Sequence, residues 1–317
     1  MQIKRSEIDI IALHTAGQDK LRAEHDEKEV AKQGTLRGGS SGCVTDDGRV
    51  IGKCHRIAHL RSLGLQENTT NSDQIMFAAG YSNEDIWFDH LKRSWNGVIL
   101  REEEIPISWT TANGVVVSGR PDMVLCDINS SPLLGLEFKL ISSPFTAYNI
   151  AVKDLPNLDH IIQAAHYMGH LNVPFKLLYT SRTNHSTGYG GMKTNWSREA
   201  KHLLSEDEGK VLPFIISFDI WAEDDVVYYY GRKGAVKTAV TLSGIKEYYE
   251  RVSQMGERKS LGPRPDSRNA DGSERSWKSC DAKNCLFSEV CDNYETDYDV
   301  WLDYAKLILE QTKGDNK

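Results

Sequence analysis

Asp122, Glu137 and Lys139 are the residues of this sequence whose types and spacing best suit chemistry. Glu137 and Lys139 stand two positions apart in the apolar run 133–141, which has the composition of a strand, so both side chains are expected on one face. Burying a carboxylate and an ammonium there is costly unless they are paired or bound to a metal. With Asp122 on an adjacent strand, the three groups would form a divalent-metal hydrolytic site. A cross-strand ion pair, with Asp122 capping a turn, is the alternative.

A helix predicted over residues 158–171 follows this strand and adds two polar side chains. Gln163 and Tyr167 are four residues apart, so they lie on the same helix face. Because such a helix packs back onto the sheet, it can direct an amide and a phenol at the same place as Glu137. A polar edge on a buried helix is the simpler interpretation of each residue taken alone.

Three motifs in chain order carry a family resemblance: Gly-Arg-Pro-Asp122, Glu137-x-Lys139 and Gln163-x-x-x-Tyr167. On strand, strand and helix, they resemble the RecB-like branch of the PD-(D/E)xK nuclease superfamily. Residues 77–84 are similar to the helix before the core of those enzymes, in which a Gly is followed by an acidic residue or His that adds a metal ligand. The resemblance implies Glu84 as a further site residue, and a solvent-exposed helical Glu is the alternative.

Cysteines form the second informative pattern. The six are Cys43, Cys54, Cys126, Cys280, Cys285 and Cys291. The last three fall within twelve residues, and in a reducing compartment such clustering predicts metal binding rather than disulfides. Cys126, among apolar neighbours, is expected to be an ordinary core cysteine.

One early and three late cysteines resemble the arrangement in RecB-like nucleases with a [4Fe–4S] cluster, such as the AddB type and CRISPR-associated exonucleases. The implied ligands are Cys54, Cys280, Cys285 and Cys291, since Cys54-His55-Arg56 is similar to the Cys-x-Arg helix start of that family. Cys43 competes with Cys54 as the early ligand. Four residues separate Cys280 from Cys285, whereas the family has two. Zn²⁺ is the alternative to iron, because four thiolates bind either.

The activity that the resemblance implies is metal-dependent DNA cleavage, by an exonuclease acting on ends or single strands in recombination, repair or phage DNA metabolism. The implied ligands of Mg²⁺ or Mn²⁺ are Asp122, Glu137, the Phe138 carbonyl oxygen and Glu84. Lys139 would orient or deprotonate the attacking water. Gln163 and Tyr167 would position Lys139 and the backbone.

DNA is the implied partner, and Arg120 and Arg182 are the implied contacts to its backbone. No Gly-x-x-x-x-Gly-Lys-Ser/Thr segment is present, so a helicase or recombination partner would supply ATP hydrolysis. Two alternatives remain open: a catalytically silent nucleic-acid-binding module, and a sequence-specific endonuclease of restriction type.

Composition excludes several classes of protein. The 317 residues carry a net charge of −7 and 26% charged residues, so we expect a globular protein that does not coat nucleic acid by bulk charge. Residues 231–278 nevertheless hold 11 Lys and Arg against 6 Asp and Glu. No apolar run reaches membrane-spanning length and the N-terminus lacks the core of a signal peptide, so a cytoplasmic location, in bacteria or a phage-infected host, is predicted.

The predicted fold is α/β, with a restriction-endonuclease-like core, a mixed sheet flanked by helices. Helical terminal segments would be joined by a metal cluster. The predicted domains are an N-terminal helical segment (1–72), the nuclease core (73–232) and a basic, cysteine-rich helical lobe (233–317). Within the core, residues 98–110 and 115–128 predict an antiparallel hairpin around the turn at 112–114, with Asp122 in its second strand.

Overall fold

The computed structural model describes residues 34–65, 70–141, 144–151, 153–181, 215–274 and 285–314, with residues 20, 23, 24, 27 and 280. Arg182 and most of the helical segment predicted before residue 34 lie outside this part of the chain. In the described part, no helix is long and apolar enough to span a membrane.

Twelve strands and seven α-helices lie in the described residues. The strands are β1 (Thr35–Arg37), β2 (Gly42–Val44), β3 (Val50–Gly52), β4 (Ile99–Arg101), β5 (Ile107–Thr110), β6 (Val116–Gly119), β7 (Met123–Cys126), β8 (Pro132–Ile141), β9 (Phe175–Ser181), β10 (Ile215–Glu223), β11 (Val226–Gly231) and β12 (Gly234–Thr241). The helices are α1 (His55–Ser62), α2 (Asn71–Lys92), α3 (Pro144–Ala151), α4 (Leu158–Leu171), α5 (Leu242–Arg258), α6 (Ser288–Asn293) and α7 (Tyr298–Gly314).

A seven-stranded mixed sheet organises the molecule, in the order β12-β11-β10-β9-β8-β7-β4. Its neighbours pair antiparallel except β8 and β9, which run parallel with Glu137 beside Leu177. A parallel pair needs a crossover, and α3 and α4 provide it. The expectation of a mixed sheet flanked by helices is confirmed.

Helices cover the two faces of this sheet. Alternation along β8 sends Glu137 and Lys139 to one face and Phe138 to the other. α4 contacts β8, β9 and β10, and its apolar residues join the main core with the buried side chains of those strands. On the opposite face, Phe138 stacks on Trp87 of α2, with ring centroids 5.2 Å apart. β8 is therefore enclosed between α2 and α4.

Local sequence signals explain where these two helices begin. Thr70 Oγ1 accepts the backbone N–H of Asp73, and the Asp73 carboxylate accepts the N–H of Thr70, which is a capping box at the start of α2. Asn157 caps α4 by accepting the N–H of Asp159. At its end, Asn172 adopts the left-handed conformation with φ 53°, a common way to stop a helix.

The predicted hairpin is only partly correct. β5 and β6 do pair antiparallel around Gly114, whose φ is 86°. However, residues 98–110 form two strands separated by a 3-10 helix, Glu102–Glu104. Residues 115–128 form β6 and β7, which belong to different sheets. Pro121, which has no N–H to give to a ladder, lies at the break, so Asp122 precedes β7 instead of lying within a continuous strand.

The segment before residue 72 differs from the helical prediction. β1 joins β6 and β5 in a three-stranded sheet, and β2 pairs with β3. α1 is the one regular α-helix within residues 34–65. A three-residue strand shows too little alternation to be found from sequence periodicity.

The C-terminal helices form a second apolar core with α1. Leu60 of α1 belongs to the same buried cluster as Met255, Leu261, Phe287 and Trp301. Trp301 of α7 is fully buried. Chain segments more than two hundred residues apart are thus held together by side-chain packing, next to the cysteines described below.

Candidate active site and cysteine cavity

The structure brings Asp122 next to Glu137 and Lys139. β7 pairs with β8 so that Met123 faces Leu136, which puts Asp122 at the end of β7 beside the charged part of β8. One Asp122 oxygen, Oδ2, accepts the backbone N–H of Phe138 at 2.6 Å. The predicted adjacency of these two strands is therefore correct, and the hydrogen bond fixes the orientation of the Asp122 carboxylate.

Glu137 is the most enclosed charged residue of this group. Its side chain is 0% exposed, and Lys139 Nζ donates to Oε1 at 2.6 Å. Its other oxygen, Oε2, is buried and has no hydrogen-bond partner among the described residues. Leaving a buried carboxylate oxygen unpaired costs free energy comparable to a lost charged hydrogen bond. One coordination position on Glu137 is therefore left open.

Burial, followed by the charges of neighbouring groups, determines the electrostatics of the site. Burial, and then the charge of Glu137, raise the pKa of Asp122 to about 8. Burial also raises the pKa of Glu137, against the opposing effect of Lys139. Burial alone would lower the pKa of Lys139, but the charges of Glu137 and Asp122 outweigh it and raise that pKa. One ammonium does not neutralise the cluster, which therefore favours an added cation.

Glu84 belongs to the same electrostatic cluster. It lies on α2 and is partly exposed, and burial followed by the charge of Asp122 raises its pKa to about 8. Glu102, in the 3-10 helix after β4, adds negative potential at Glu84, Asp122 and Glu137. Sequence reasoning missed Glu102. Its signal was the run of three glutamates after a strand, a pattern that more often marks an exposed turn.

α4 contributes Gln163 and Tyr167 as predicted. Gln163 Nε2 donates to Tyr167 Oη at 3.3 Å, and Tyr167 is 2% exposed. Burial, and then the charge of Glu137, raise the pKa of Tyr167 well above its usual value, so the phenol lies near the carboxylates. A Cβ at Gly119 would lie 2.6 Å from Tyr167 Cε1. The glycine before Arg120 therefore makes room for the tyrosine ring.

Four of the six cysteines line one small cavity. Cys54 precedes α1, and its cavity partners are Cys280, Cys285 and Cys291. None of the four forms a disulfide with another described cysteine. Burial raises the pKa of Cys54 to about 12, and the nearby charges of Cys280 and Cys291 add to that shift. The early and late cysteines expected to act together do lie together.

Two arginines and a tryptophan line the same cavity. Arg56 is 1% exposed and donates to the Gly262 carbonyl at 3.0 Å. Trp301 Nε1 donates to Cys291 Sγ at 3.4 Å. Arg264 pairs with Asp292 at 2.6 Å. Cationic and N–H groups beside thiols favour thiolate charge. Sequence periodicity does not predict the approach of any of these three side chains.

The two remaining cysteines lie elsewhere. Cys43, the alternative early ligand, is fully buried, with Sγ 3.7 Å from the Thr241 carbonyl oxygen, and burial raises its pKa to about 11. Cys126 is fully buried beside Ile105 and Val124, as expected of a core cysteine. Cys54, rather than Cys43, is thus the early cysteine at the shared cavity.

Of the two predicted DNA-contacting arginines, the structure describes only Arg120. Arg120 is exposed at the break between β6 and β7. Arg182 falls outside the described residues. The position of Arg120, two residues before Asp122, nevertheless puts an exposed cation at the edge of the carboxylate site.

No family model and no curated protein matches this chain. Among solved structures, the chain is similar to the crystal structure of a protein named SSO0001, with a TM-score of 0.35 and 17% sequence identity. That likeness covers 54% of this chain and 73% of the other. Because a TM-score of this size carries no argument, the site is interpreted from its own geometry.

The carboxylates and the thiols are of the types that bind metal ions, but their present positions do not form a metal site. In the described part of the chain, no three His, Cys, Asp or Glu side chains form a group that could hold a metal ion as arranged. At the carboxylates, Lys139 donates to one oxygen of Glu137, and the Phe138 N–H donates to one oxygen of Asp122. The unpaired Glu137 Oε2 and the hard oxygen donors fit Mg²⁺ or Mn²⁺, and the four thiols fit an iron–sulfur cluster or zinc. Small side-chain movements would have to accompany binding.

Proposed function

We propose that this protein is a metal-dependent deoxyribonuclease of the RecB-like PD-(D/E)xK type, with a restriction-endonuclease-like core. The observation that carries the proposal is the buried cluster of Asp122, Glu137 and Lys139, in which Glu137 Oε2 has no partner among the described residues. A structural ion pair needs one carboxylate for one ammonium. The three carboxylates here, counting Glu84, could all be ionised near neutral pH only with a further cation, which a divalent metal ion would supply.

The proposed metal ligands are Glu84, Asp122, Glu137 and the Phe138 carbonyl oxygen. A bound Mg²⁺ or Mn²⁺ supplies charge to the scissile phosphate and lowers the pKa of a bound water. Lys139 Nζ bonds Glu137 Oε1 at 2.6 Å, whereas the unpaired Oε2 would be the oxygen that holds the cation. Beside the metal, Lys139 would orient the water or offset phosphate charge.

Tyr167 and Gln163 would position Lys139 and the backbone of the site. Their hydrogen bond and the enclosure of the phenol would fix a wall of the site near Glu137 and Asp122. A fixed wall limits the directions that the flexible lysine can take, which favours one geometry of attack. Arg120 at the site edge, Arg182 and the basic residues 231–278 would contact the phosphates of DNA.

A [4Fe–4S] cluster, or zinc as the alternative, is proposed at the cysteine cavity. Cys54 would join the late cysteines across the chain. Four thiols around one cavity, with Arg56 and Trp301 as neighbours, support this part of the proposal. It would be a structural element that stabilises the N-terminal segment 1–72 and the C-terminal lobe 233–317 on the core 73–232.

The biological setting follows from the same proposal. An exonuclease acting on ends or single strands, in recombination, repair or phage DNA metabolism, would work in the cytoplasm of a bacterium or an infected host. A helicase or recombination partner would supply any strand separation.

Cleavage of labelled DNA by matched variants tests the proposal. We expect 5′-end-labelled single strands to give short products in Mg²⁺ or Mn²⁺. Asp122→Asn, Glu137→Gln and Lys139→Met should each lower the rate by about 100-fold or more. Glu223→Gln, at an exposed position on β10, is the control and should cleave at the wild-type rate. These near-isosteric changes keep the fold, which thermal melting verifies.

Other results of the cleavage experiment would indicate a different function. Discrete internal products would favour a specific endonuclease, and retention of intact DNA would favour a binding module. Wild-type cleavage by a folded Glu137→Gln variant would overturn the assignment of the site.

A further inference from the structure

A second cavity, of about 360 Å³, lies between α4, α5 and β5. Its apolar wall includes Ala165, Leu242 and Ile245, and its polar groups include Trp109, His166 and Lys246. None of these residues belongs to the carboxylate cluster or the cysteine cavity. A volume of this size falls within the usual range for small-molecule sites, which are mostly apolar with a few placed polar groups.

Two buried ring nitrogens at this cavity have no partner. His166 is 3% exposed, and its Nε2 has no hydrogen bond within the described part of the chain. Trp109 Nε1 is also buried without an acceptor there. Buried N–H groups are rarely left unpaired, because each loses its hydrogen bonds to water on folding. Both residues line the cavity, but the two nitrogens themselves are sealed from solvent, so a ligand in the cavity would supply their partners only after the side chains turn toward it.

Two adjacent residues of α4 lie at different sites, one at this cavity and the other near the carboxylates. Tyr167 bonds Gln163 and lies near the carboxylates, whereas its neighbour His166 lines the second cavity. Consecutive helical residues point about 100° apart. His166 is therefore a buried ring that the proposed nuclease chemistry does not use.

One exposed cation lies at the same cavity. Lys246 is exposed on α5, and its charge contributes, after burial, to lowering the pKa of His170, which also lines the cavity. Asp225, the acidic lining residue, already accepts the Ser243 backbone N–H at 2.9 Å and the Ser243 hydroxyl. Lys246 is thus the charged group available to an anionic ligand.

We propose that this cavity binds a planar heteroaromatic ring carrying an anionic group, the chemistry of a nucleoside monophosphate. The ring would pack on Leu242 and Ile245, and its edge would accept from Trp109 and pair with His166 once these two side chains rotate toward the cavity. The anionic group would meet Lys246. A purely aliphatic acid would leave one of the ring nitrogens unpaired, because it has a single polar end. The proposal is independent of the nuclease proposal.

Calorimetric titration with dAMP tests it, on the full-length protein without added divalent cation, so that the carboxylate site does not take the phosphate. Wild type should bind saturably. Trp109→Phe keeps a ring but removes the N–H and should weaken binding about 3-fold to 10-fold. Lys246→Gln should weaken it about 2-fold to 5-fold. Lys237→Gln, an exposed lysine on β12, is the matched control and should bind like wild type.

The indole N–H resonances locate the ligand. Disappearance of one resonance in Trp109→Phe assigns it, and in wild type that resonance should shift with dAMP along the calorimetric curve. Absence of saturable binding at 5 mM dAMP would overturn the proposal. So would unchanged affinity in both Trp109→Phe and Lys246→Gln, or competition by inorganic phosphate as strong as that of dAMP itself. These outcomes are independent of whether the protein cleaves DNA.

Discussion

At the scale of single residues, the Glu137–Lys139 pair differs from the surface ion pairs by its burial rather than its length. Its Nζ–Oε1 distance is 2.6 Å, and the two side chains are 23% and 0% exposed, lysine first. Lys259 and Asp299 make a contact of 2.5 Å with side chains 58% and 66% exposed. Because water screens the second pair, similar geometry should give different energies.

A double-mutant cycle measures that difference. With Lys139→Met and Glu137→Gln, we expect a coupling free energy of about 2–3 kcal/mol in urea unfolding without divalent cation. The cycle on Lys259→Met and Asp299→Asn is the control and should give about 0–1 kcal/mol. Equal coupling in the two cycles would show that Glu137 is not held in a low-dielectric environment.

His166 gives a pH dependence of stability. Burial, and then the nearby His170, lower its pKa from 6.5 to about 3. The unfolded chain binds this proton below pH 6.5, but the folded chain excludes it until a much lower pH. The contribution of His166 is therefore complete above pH 6.5 and is lost as the pH falls, by up to about 1.4 kcal/mol per pH unit.

The melting temperatures of wild type and His166→Gln between pH 7.5 and pH 5 check this. We expect a shallower loss on acidification in the variant, although the variant is less stable at pH 7.5. His90→Gln, at an exposed position of α2, should keep the wild-type slope. An unchanged slope in His166→Gln would show that this ring is hydrated in solution.

The spacing of Glu137 and Lys139 follows the period of a strand and that of Gln163 and Tyr167 the period of a helix, whereas Asp122 was predicted beside them on an adjacent strand. Glu102 was missed, and Arg56 was noted only as part of a helix start, since each comes close to its cluster only through folding. Glu102 approaches Glu84 and Asp122 from the end of β4, and Arg56 meets Glu295 from the other end of the chain. Contacts of that kind leave no periodic mark in a single sequence.

At the scale of elements, the close approach of β6 to α4 is set by glycine. A Cβ at Gly119 would lie 2.6 Å from Tyr167 Cε1, whereas at Gly39, in the 3-10 helix Gly38–Ser40, it would meet nothing within 4 Å. Gly119→Ala should therefore displace the tyrosine ring and cost about 1–3 kcal/mol of stability.

Thermal melting and DNA cleavage of Gly119→Ala and Gly39→Ala test the role of this contact. We expect the first variant to lose stability and cleavage together and the second to behave like wild type. Wild-type stability in Gly119→Ala would mean that the ring can move away at no cost, and the glycine would then need another explanation.

Long elements with strong patterns were predicted well, and short ones were not. α4 has the predicted bounds, because fourteen residues with an apolar stripe are a clear signal. β1 to β3 have three residues each and were missed. β12 was missed as well, although its eight residues alternate, since Lys237 and Gly234 weaken its apolar content.

At the scale of the whole molecule, the cysteine cavity joins the beginning and the end of the described chain. Cys54→Ser, Cys280→Ser, Cys285→Ser and Cys291→Ser should each reduce bound iron or zinc and lower the melting temperature. Metal binding there is coupled to folding, because the ligands come from distant parts of the sequence.

Metal analysis of anaerobically purified protein, with its absorption spectrum and melting curve, checks this prediction. Cys126→Ser, in a separate apolar cluster, is the control and should keep the full metal content. A brown wild type supports the iron–sulfur cluster, and a colourless one with one zinc per chain supports the alternative. Wild type without metal, and with unaltered stability in all four variants, would refute a metal site at the cavity.

The order of the seven strands could not be read from the sequence. Adjacent β7 and β8 follow from a short connection, but β4 at one edge and β12 at the other depend on which edges remain available after the β8–β9 crossover. That choice is made by the packing of α2 and α4 on opposite faces, which is a property of the assembled molecule.

A strand pair and a buried cluster are among the contacts that connect the chain before residue 182 with the chain after residue 214. β9 pairs with β10 from Phe175 beside Ile220 to Thr180 beside Ile215, and Leu60 of α1 shares its buried cluster with Trp301 of α7. A backbone break between these two parts would sever neither contact. The protein should therefore tolerate being made as two co-expressed polypeptides that associate into one particle, so that isotope or fluorescent labels can be confined to either half.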